Sequence, residues 1–422
     1  MSLQGPIVVV GDQLYPELVA ALGAAGAFPV VETPWGNAAA AIAKIEPAAV
    51  VLNQADGSPD DKTLLALTRT IAEARGPHMP VLARVIAGAE PVIATALPIA
   101  ADASVARIVS RLVSALRVRN LHAAALRRAD ANAAEIQDMP TLPTTDPLDD
   151  ATVLVLGRGR TYPDLAVAVG ERVGLIGALS VETAARYLNE RDVDGVVLGD
   201  GFGPRLVEAF LTVISEDARF RDLPIAAMSG VPITIDRAQL PNLEQMKGEP
   251  VDIVERMLPL VRIHAFGARL QRLLAAIEAK GMLDPESGLF TIAAFLRDLQ
   301  RALQEANECG GTLSLARFSF PNELDRRANV DAARLISRLV RKADFACHAS
   351  DGSVLVAFSG TTLRSAHVVA RRIASVLKHT MVSVEGDQGH IAPAVTLACL
   401  KSNDTVESLL GRVSDPIAVA AE

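Results

Sequence analysis

Cysteine, aromatic residues, surplus positive charge and long apolar runs are all scarce in this sequence, and each shortage excludes something. The three cysteines, Cys309, Cys347 and Cys399, are far apart and odd in number. That argues against a disulfide framework or a metal knuckle, and for reduced core thiols in a cytoplasmic protein. Seven histidines are scattered without ligand spacing, so no metal site is expected; His348 reads as a packed or surface residue. Lysine and arginine total 41 against 49 acids, a net charge of −8, which lacks the basic footprint of a nucleic-acid partner. No uninterrupted apolar segment is long enough to span a bilayer, and the N-terminus lacks a basic-then-apolar signal layout. A soluble protein with no membrane partner is therefore expected. Gly157-Arg-Gly-Arg160 lacks the Gly-Lys-Ser/Thr ending of a phosphate loop.

What is present is apolar residue in abundance: 50% of the chain, with aromatics only 4%. A chain of 422 residues predicts two to four domains. Ile7-Val-Val-Val10 is a β-branched run suited to a strand buried on both faces. Helical and strand-like stretches then alternate through Ala38 to Ile45, Ala48 to Leu52, Leu64 to Ala74 and Val81-Leu82, as in a parallel α/β sheet. A longer helix from Val105 to about Arg128 closes this first module, taken as 1–135. Residues 136–150, with three prolines and four aspartates, read as a linker.

The pattern then repeats over 151–265. Val153-Leu-Val-Leu156, Gly157 and Tyr162-Pro-Asp-Leu165 answer Ile7 to Val10, Gly11 and Tyr15-Pro-Glu-Leu18. Gly195-Val-Val-Leu198 answers Ala49-Val-Val-Leu52, and the spacing from Gly11 to Asn53 equals that from Gly157 to Gly199. Two copies of one domain follow. Both copies resemble response-regulator receiver domains, the flavodoxin-like, doubly wound parallel sheet. That resemblance implies a magnesium-holding acid pair after the first strand and a phosphate-accepting Asp ending the third. Only Asp12 remains of the first acid pair, Asn53 stands at the first acceptor, and Gly157-Arg158 and Gly199 occupy the second copy. Asn and Gly carry no carboxylate to phosphorylate. Asp200 is one residue late and serves as acceptor only if the register slips by one. The expectation is two receiver folds kept for docking and dimerisation.

From Met257 to Lys280, Phe266, Leu270, Leu273 and Ile277 form a heptad-like stripe. It suits either packing on its own receiver sheet or a coiled coil between two chains. The remaining module spans 281–422. Its centre is Arg341 to Gly360, where Phe345 to Cys347 and Val354 to Phe358 flank Asp351-Gly352. Two apolar runs joined by Asp-Gly predict a hairpin with φ > 0 at both central positions. The order helix through Phe295, Leu299 and Leu303, strand Thr312 to Phe320, hairpin, helix Ser365 to Leu377, strand Ala394 to Leu400 resembles a GGDEF (diguanylate cyclase) domain. Asp284, Ser287, Gly288 and Leu289 match the family's opening motif, and Gly360-Thr361 its Gly-Thr after the signature strand. The resemblance implies a nucleotidyl cyclase-like α/β fold with a mixed sheet.

It also places Ser350, Asp351, Gly352, Ser353 and Val354 where Gly-Gly-Asp-Glu-Phe stands in the family. Diguanylate cyclases hold two metal ions with acids of the first long strand and the hairpin. Here those positions carry Arg317, Ser319, Gly352 and Ser353, with Asp351 displaced by one. No metal, no cofactor requirement and no enzyme are therefore expected. One family element is retained by position: the product-binding Arg-x-x-Asp, as Arg341 and Asp344, six residues before Ser350, with Arg372 matching by count the arginine from the following helix. A guanidinium grips a guanine edge or phosphate in a forked geometry, and a carboxylate accepts from guanine N–H groups. The expectation is a cyclic di-GMP receptor that acts as a homodimer or by docking an unidentified protein. The alternatives are a ligand-free scaffold and, more distantly, a residual cyclase.

Overall fold

The computed structural model describes residues 5–86, 89–132, 139–228, 230–231, 233, 235, 239–309, 312–320, 326–341, 343–378, 381–384, 387–390, 393–402 and 404–414. The first sheet is built from β1 (Ile7–Val10), β2 (Val30–Thr33), β3 (Ala49–Asn53), β4 (Val81–Val85) and β5 (Leu97–Ala100). Its helices are α1 (Pro16–Ala24), α2 (Trp35–Ile45), α3 (Asp61–Ala72) and α4 (Val105–Asn132). The strands run parallel in the order β2-β1-β3-β4-β5. β1, β3 and β4 are buried throughout, which is why they read as apolar runs, broken only by Asn53 at the end of β3 and Arg84 within β4. Leu18, Leu22 and Leu112 cover one face; Trp35, Ile42 and Leu67 cover the other. β5 escaped the sequence reading because it is a short edge strand that contains Pro98.

The second sheet repeats this wiring. It comprises β6 (Thr152–Leu156), β7 (Gly174–Ala178), β8 (Gly195–Leu198), β9 (Ile225–Met228) and β10 (Leu243–Met246), with α5 (Tyr162–Gly170), α6 (Val181–Glu190), α7 (Pro204–Glu216) and α8 (Pro250–Glu278). Its order, β10-β9-β8-β6-β7, is again the doubly wound 2-1-3-4-5 arrangement.

α8 is one helix that begins under the second sheet and runs on beyond it. Ile253, Val254, Met257 and Val261 pack on that sheet. Leu270, Leu273 and Ile277 instead meet Ala125 of α4, with Val118, Leu121, Ala129 and Phe266 around them. The heptad-like stripe is thus filled by the first module's long helix, within the same chain. Beside this apolar seam, Arg107 and Arg111 of α4 clamp Glu244 of β10 at 2.8 and 2.6 Å. Arg111 also donates to Pro241 O, and Ser114 Oγ accepts from Asn242 Nδ2 at 3.1 Å. Burial alone would raise the Glu244 carboxyl; the two guanidiniums outweigh it and hold it below the usual range.

The third module contains α9 (Ile292–Cys309), β11 (Leu313–Ser319), α10 (Arg326–Leu339), β12 (Phe345–His348), β13 (Val354–Ser359), α11 (Leu363–Lys378), β14 (Met381–Val384), β15 (Asp387–His390), β16 (Ala394–Cys399) and α12 (Val406–Ser414). β14 and β15 form a separate hairpin. The remaining strands order as β12-β13-β11-β16, a βαββαβ arrangement of ferredoxin-like type. Every pairing in this sheet is antiparallel, so the expected mixed character is confined to one isolated parallel bridge, Phe290 to Cys347. α10 and α11 cover one face around Phe318 and Phe358, and α9 and α12 cover the other around Phe295 and Leu315.

Candidate functional site

The hairpin between β12 and β13 forms where expected, with a different turn. Gly352 N donates to Ala349 O at 3.0 Å, and Ala349 N to Ser353 O at 2.8 Å. The turn is therefore centred on Ser350 and Asp351, and only Gly352, at φ +81°, is left-handed. This is the three-residue hairpin loop closed by a left-handed glycine, in place of a two-residue Asp-Gly turn. Asp351 has ordinary φ because the left-handed position of this loop falls on Gly352, and its carboxylate braces the turn: Oδ1 accepts from Ser353 N at 3.0 Å and from Ser353 Oγ at 2.6 Å.

The same carboxylate forms an ion pair with Arg317 of β11. Ser353 and Val354 are buried, whereas Ser350 and Asp351 are exposed. Burial raises the Asp351 carboxyl, and its Ser353 hydrogen bonds and Arg317 more than reverse that, so it titrates below the usual range. A guanidinium thus stands against the one carboxylate of this loop, and among the described residues no three histidine, cysteine or acidic side chains cluster as metal ligands.

Arg341 and Asp344 lie between α10 and β12. Asp344 N donates to Arg341 O at 2.9 Å, which folds the segment into a tight turn. The half-buried Asp344 carboxylate accepts from Ser359 N at 3.1 Å, tying it to the end of β13. Burial pushes its carboxyl up, opposed by that N–H and by the positive charge of Arg341 nearby. The Arg341 side chain is exposed. Arg372, beside Arg371, is exposed on α11 and, among the described residues, forms no hydrogen bond or ion pair with Arg341 or Asp344. The structure brings the first two residues together and leaves the third apart.

The opening motif is a scaffold element. Asp284 Oδ2 accepts from Ser287 N at 2.9 Å and from Ser287 Oγ at 2.5 Å, and Gly288 turns the chain at φ +72°. Phe290 N then donates to Ala346 O at 2.9 Å, fastening this turn to β12.

In the first two modules, the ends of the third strands are filled from within. The pairs Val10 with Leu52 and Leu156 with Leu198 put Asn53 and Gly199 in equivalent places, with Asp200 one residue after Gly199 and two beyond the end of β8. Asn53 is 1% exposed and accepts from Arg84 Nη1 at 3.0 Å. Arg84 also donates to Ala101 O at 2.7 Å and lies over the Tyr15 ring, 4.5 Å from its centroid. Sequence reasoning missed Arg84; the signal was a lone charge inside the apolar run Val81 to Val85. Asp200 accepts from Thr161 Oγ1 at 2.5 Å, chiefly through which its carboxyl is held below the usual range. Its backbone carbonyl takes the N–H groups of Arg158 and Gly159, both at 3.2 Å. Asp12 is exposed, two residues after the end of β1.

No family model matches the chain, and no curated protein matches it. Among solved structures, the coiled-coil and GGDEF domain of DgcB from Caulobacter crescentus in complex with c-di-GMP is similar at 19% identity and TM-score 0.31, covering 35% of this chain and 83% of that one. The GGDEF domain of FimX from Pseudomonas aeruginosa is similar at 16% identity and TM-score 0.29, covering 32% and 89%. The diguanylate cyclase SiaD, in complex with its activator SiaC from the same organism, gives 18% and 0.31, covering 34% and 59%. No helix among the described residues is long and apolar enough to cross a membrane.

Proposed function

We propose that this chain is a non-catalytic cyclic di-GMP receptor with a GGDEF-like third module and two receiver-like modules that do not transfer phosphate. The observation that carries the reading is the exposed Arg341 guanidinium beside the half-buried Asp344 carboxylate, on a turn fixed by β13. That pair offers a fork for guanine O6/N7 or phosphate and an acceptor for guanine N–H groups. Arg372 joins it by a side-chain rearrangement on ligand binding. Loss of catalysis is supported by Arg317, whose charge meets Asp351 where a cyclase needs carboxylates free for metal. Loss of phosphotransfer is supported by Asn53 held by Arg84, and by Gly199.

Two measurements test this reading. Incubating the full chain with GTP and Mg²⁺ or Mn²⁺ is expected to yield no cyclic di-GMP; product formation contradicts the reading. Ultraviolet crosslinking of labelled cyclic di-GMP is expected to mark the wild type and to fail with Asp344→Ala. A second reading, a ligand-free scaffold, is favoured by one observation: Arg372 is not assembled with Arg341 and Asp344. It predicts no crosslink in either protein.

A further inference from the structure

The third module touches the second where β14 lies against β7 and along one face of α10, and the α10 contact differs in kind from the α4–α8 seam. Arg327, Arg334 and Arg338 recur at helical spacing on α10 and reach two segments of the second module and the end of the linker that leads into it. Arg338 forms an ion pair with Asp192, just after α6. Arg334 Nη2 stands 3.8 Å from Asp150, immediately before β6, and Asp150 is also held by Arg269 of α8 at 2.7 Å. Arg327 lies so close over Gly174 of β7 that a side chain there would collide with the guanidinium.

The contact is crowded with charge of both signs. Arg272 is pushed down to about 10, first by burial and then by Arg334, despite Asp192, Asp194 and Asp150. Asp331, on the same α10 face, is pushed up to about 6 by burial, with Asp192 and Asp194 adding to the rise and Arg334 and Arg327 opposing it. Arg334 Nη2 and Arg327 Nη2 are buried without hydrogen-bond partners.

We propose that the α10 arginine stripe on the second module's aspartates is a releasable electrostatic latch, which holds the third module against a permanently joined pair of parallel-sheet modules. The physical basis is the contrast between the two interfaces. Leucine and isoleucine burial at α4–α8 does not weaken as salt rises, whereas the part-exposed Arg338–Asp192 pair at the edge of the α10 contact weakens as the Debye length shrinks. Polar interfaces between domains are also where relative motion is expected. The latch needs no ligand, so it stands or falls separately from cyclic di-GMP binding.

The test is amide exchange on the full chain, together with the distance between spin labels on the second and third modules. Arg338→Glu and Asp192→Arg are each expected to speed exchange in α10 by about tenfold and to lengthen the distance, while the α4–α8 seam stays protected. The Arg338→Glu/Asp192→Arg pair restores both readings, and raising salt from about 0.05 M to about 1 M mimics the single variants. Unchanged exchange in both single variants overturns the proposal. So does a double variant as open as the singles, or loosening that includes the α4–α8 seam.

Discussion

At the residue scale, the positions on which the proposed function turns are filled by specific contacts. Arg317 neutralises Asp351, Arg84 holds Asn53, and Thr161 holds Asp200. Arg341 is different, because its charged end faces solvent. Asp344 gives the ligand reading a pH signature. Its carboxyl is raised, chiefly by burial, so it takes up a proton at a higher pH than an exposed aspartate. Cyclic di-GMP affinity is therefore expected to fall on acidification before ordinary carboxylates titrate; an affinity flat down to the ordinary aspartate range would remove Asp344 from the site. Cys347 yields a simpler check. It is fully buried, and burial pushes its thiol up to about 12, so the reactive thiolate is nearly absent at pH 8. Native-state alkylation should spare Cys347 and reach it only after unfolding.

Among elements, α4 and α8 matter most, since together they join the two parallel-sheet modules. Glu244 receives two arginines there, and removing it would leave both buried charges without their carboxylate. Glu244→Ala is expected to cost about 3–5 kcal/mol in denaturant unfolding, and a loss below about 1 kcal/mol would mean the clamp is dispensable. Because the folded carboxyl lies below its unfolded value, this stability is present above the ordinary glutamate range and is lost as pH falls through the depressed folded value.

The first and third strands of both parallel sheets were legible because burial on two faces writes itself as β-branched runs, as at Ile7 to Val10 and Val153 to Leu156; β5, β7, β9 and β10 carry no such run and were not read. The partner of Leu270 and Leu273 was not legible. A heptad stripe states that a helix is covered, and nothing in it says whether the cover is its own sheet, a second chain or, as here, α4. The hairpin was legible in place but not in turn type, because the left-handed position falls on Gly352 alone and Asp351 keeps ordinary φ. Arg341 and Asp344 were found by position alone, since neither has a distinguishing local pattern.

At the scale of the whole molecule, two parallel-sheet modules are joined through the apolar α4–α8 seam and the Arg107/Arg111–Glu244 clamp, and a third, ferredoxin-like module rests on the second through β14 and the arginines of α10. With the α4–α8 faces already joined inside one chain, a homodimer has to use other surfaces. The measurement closest to the central claim is a calorimetric titration of the full chain with cyclic di-GMP, with wild type and Arg341→Ala compared at one ionic strength. Saturable heat from the wild type, weakened by about tenfold or more in the variant, is the predicted result. A silent wild type, or two superimposable isotherms, would contradict it.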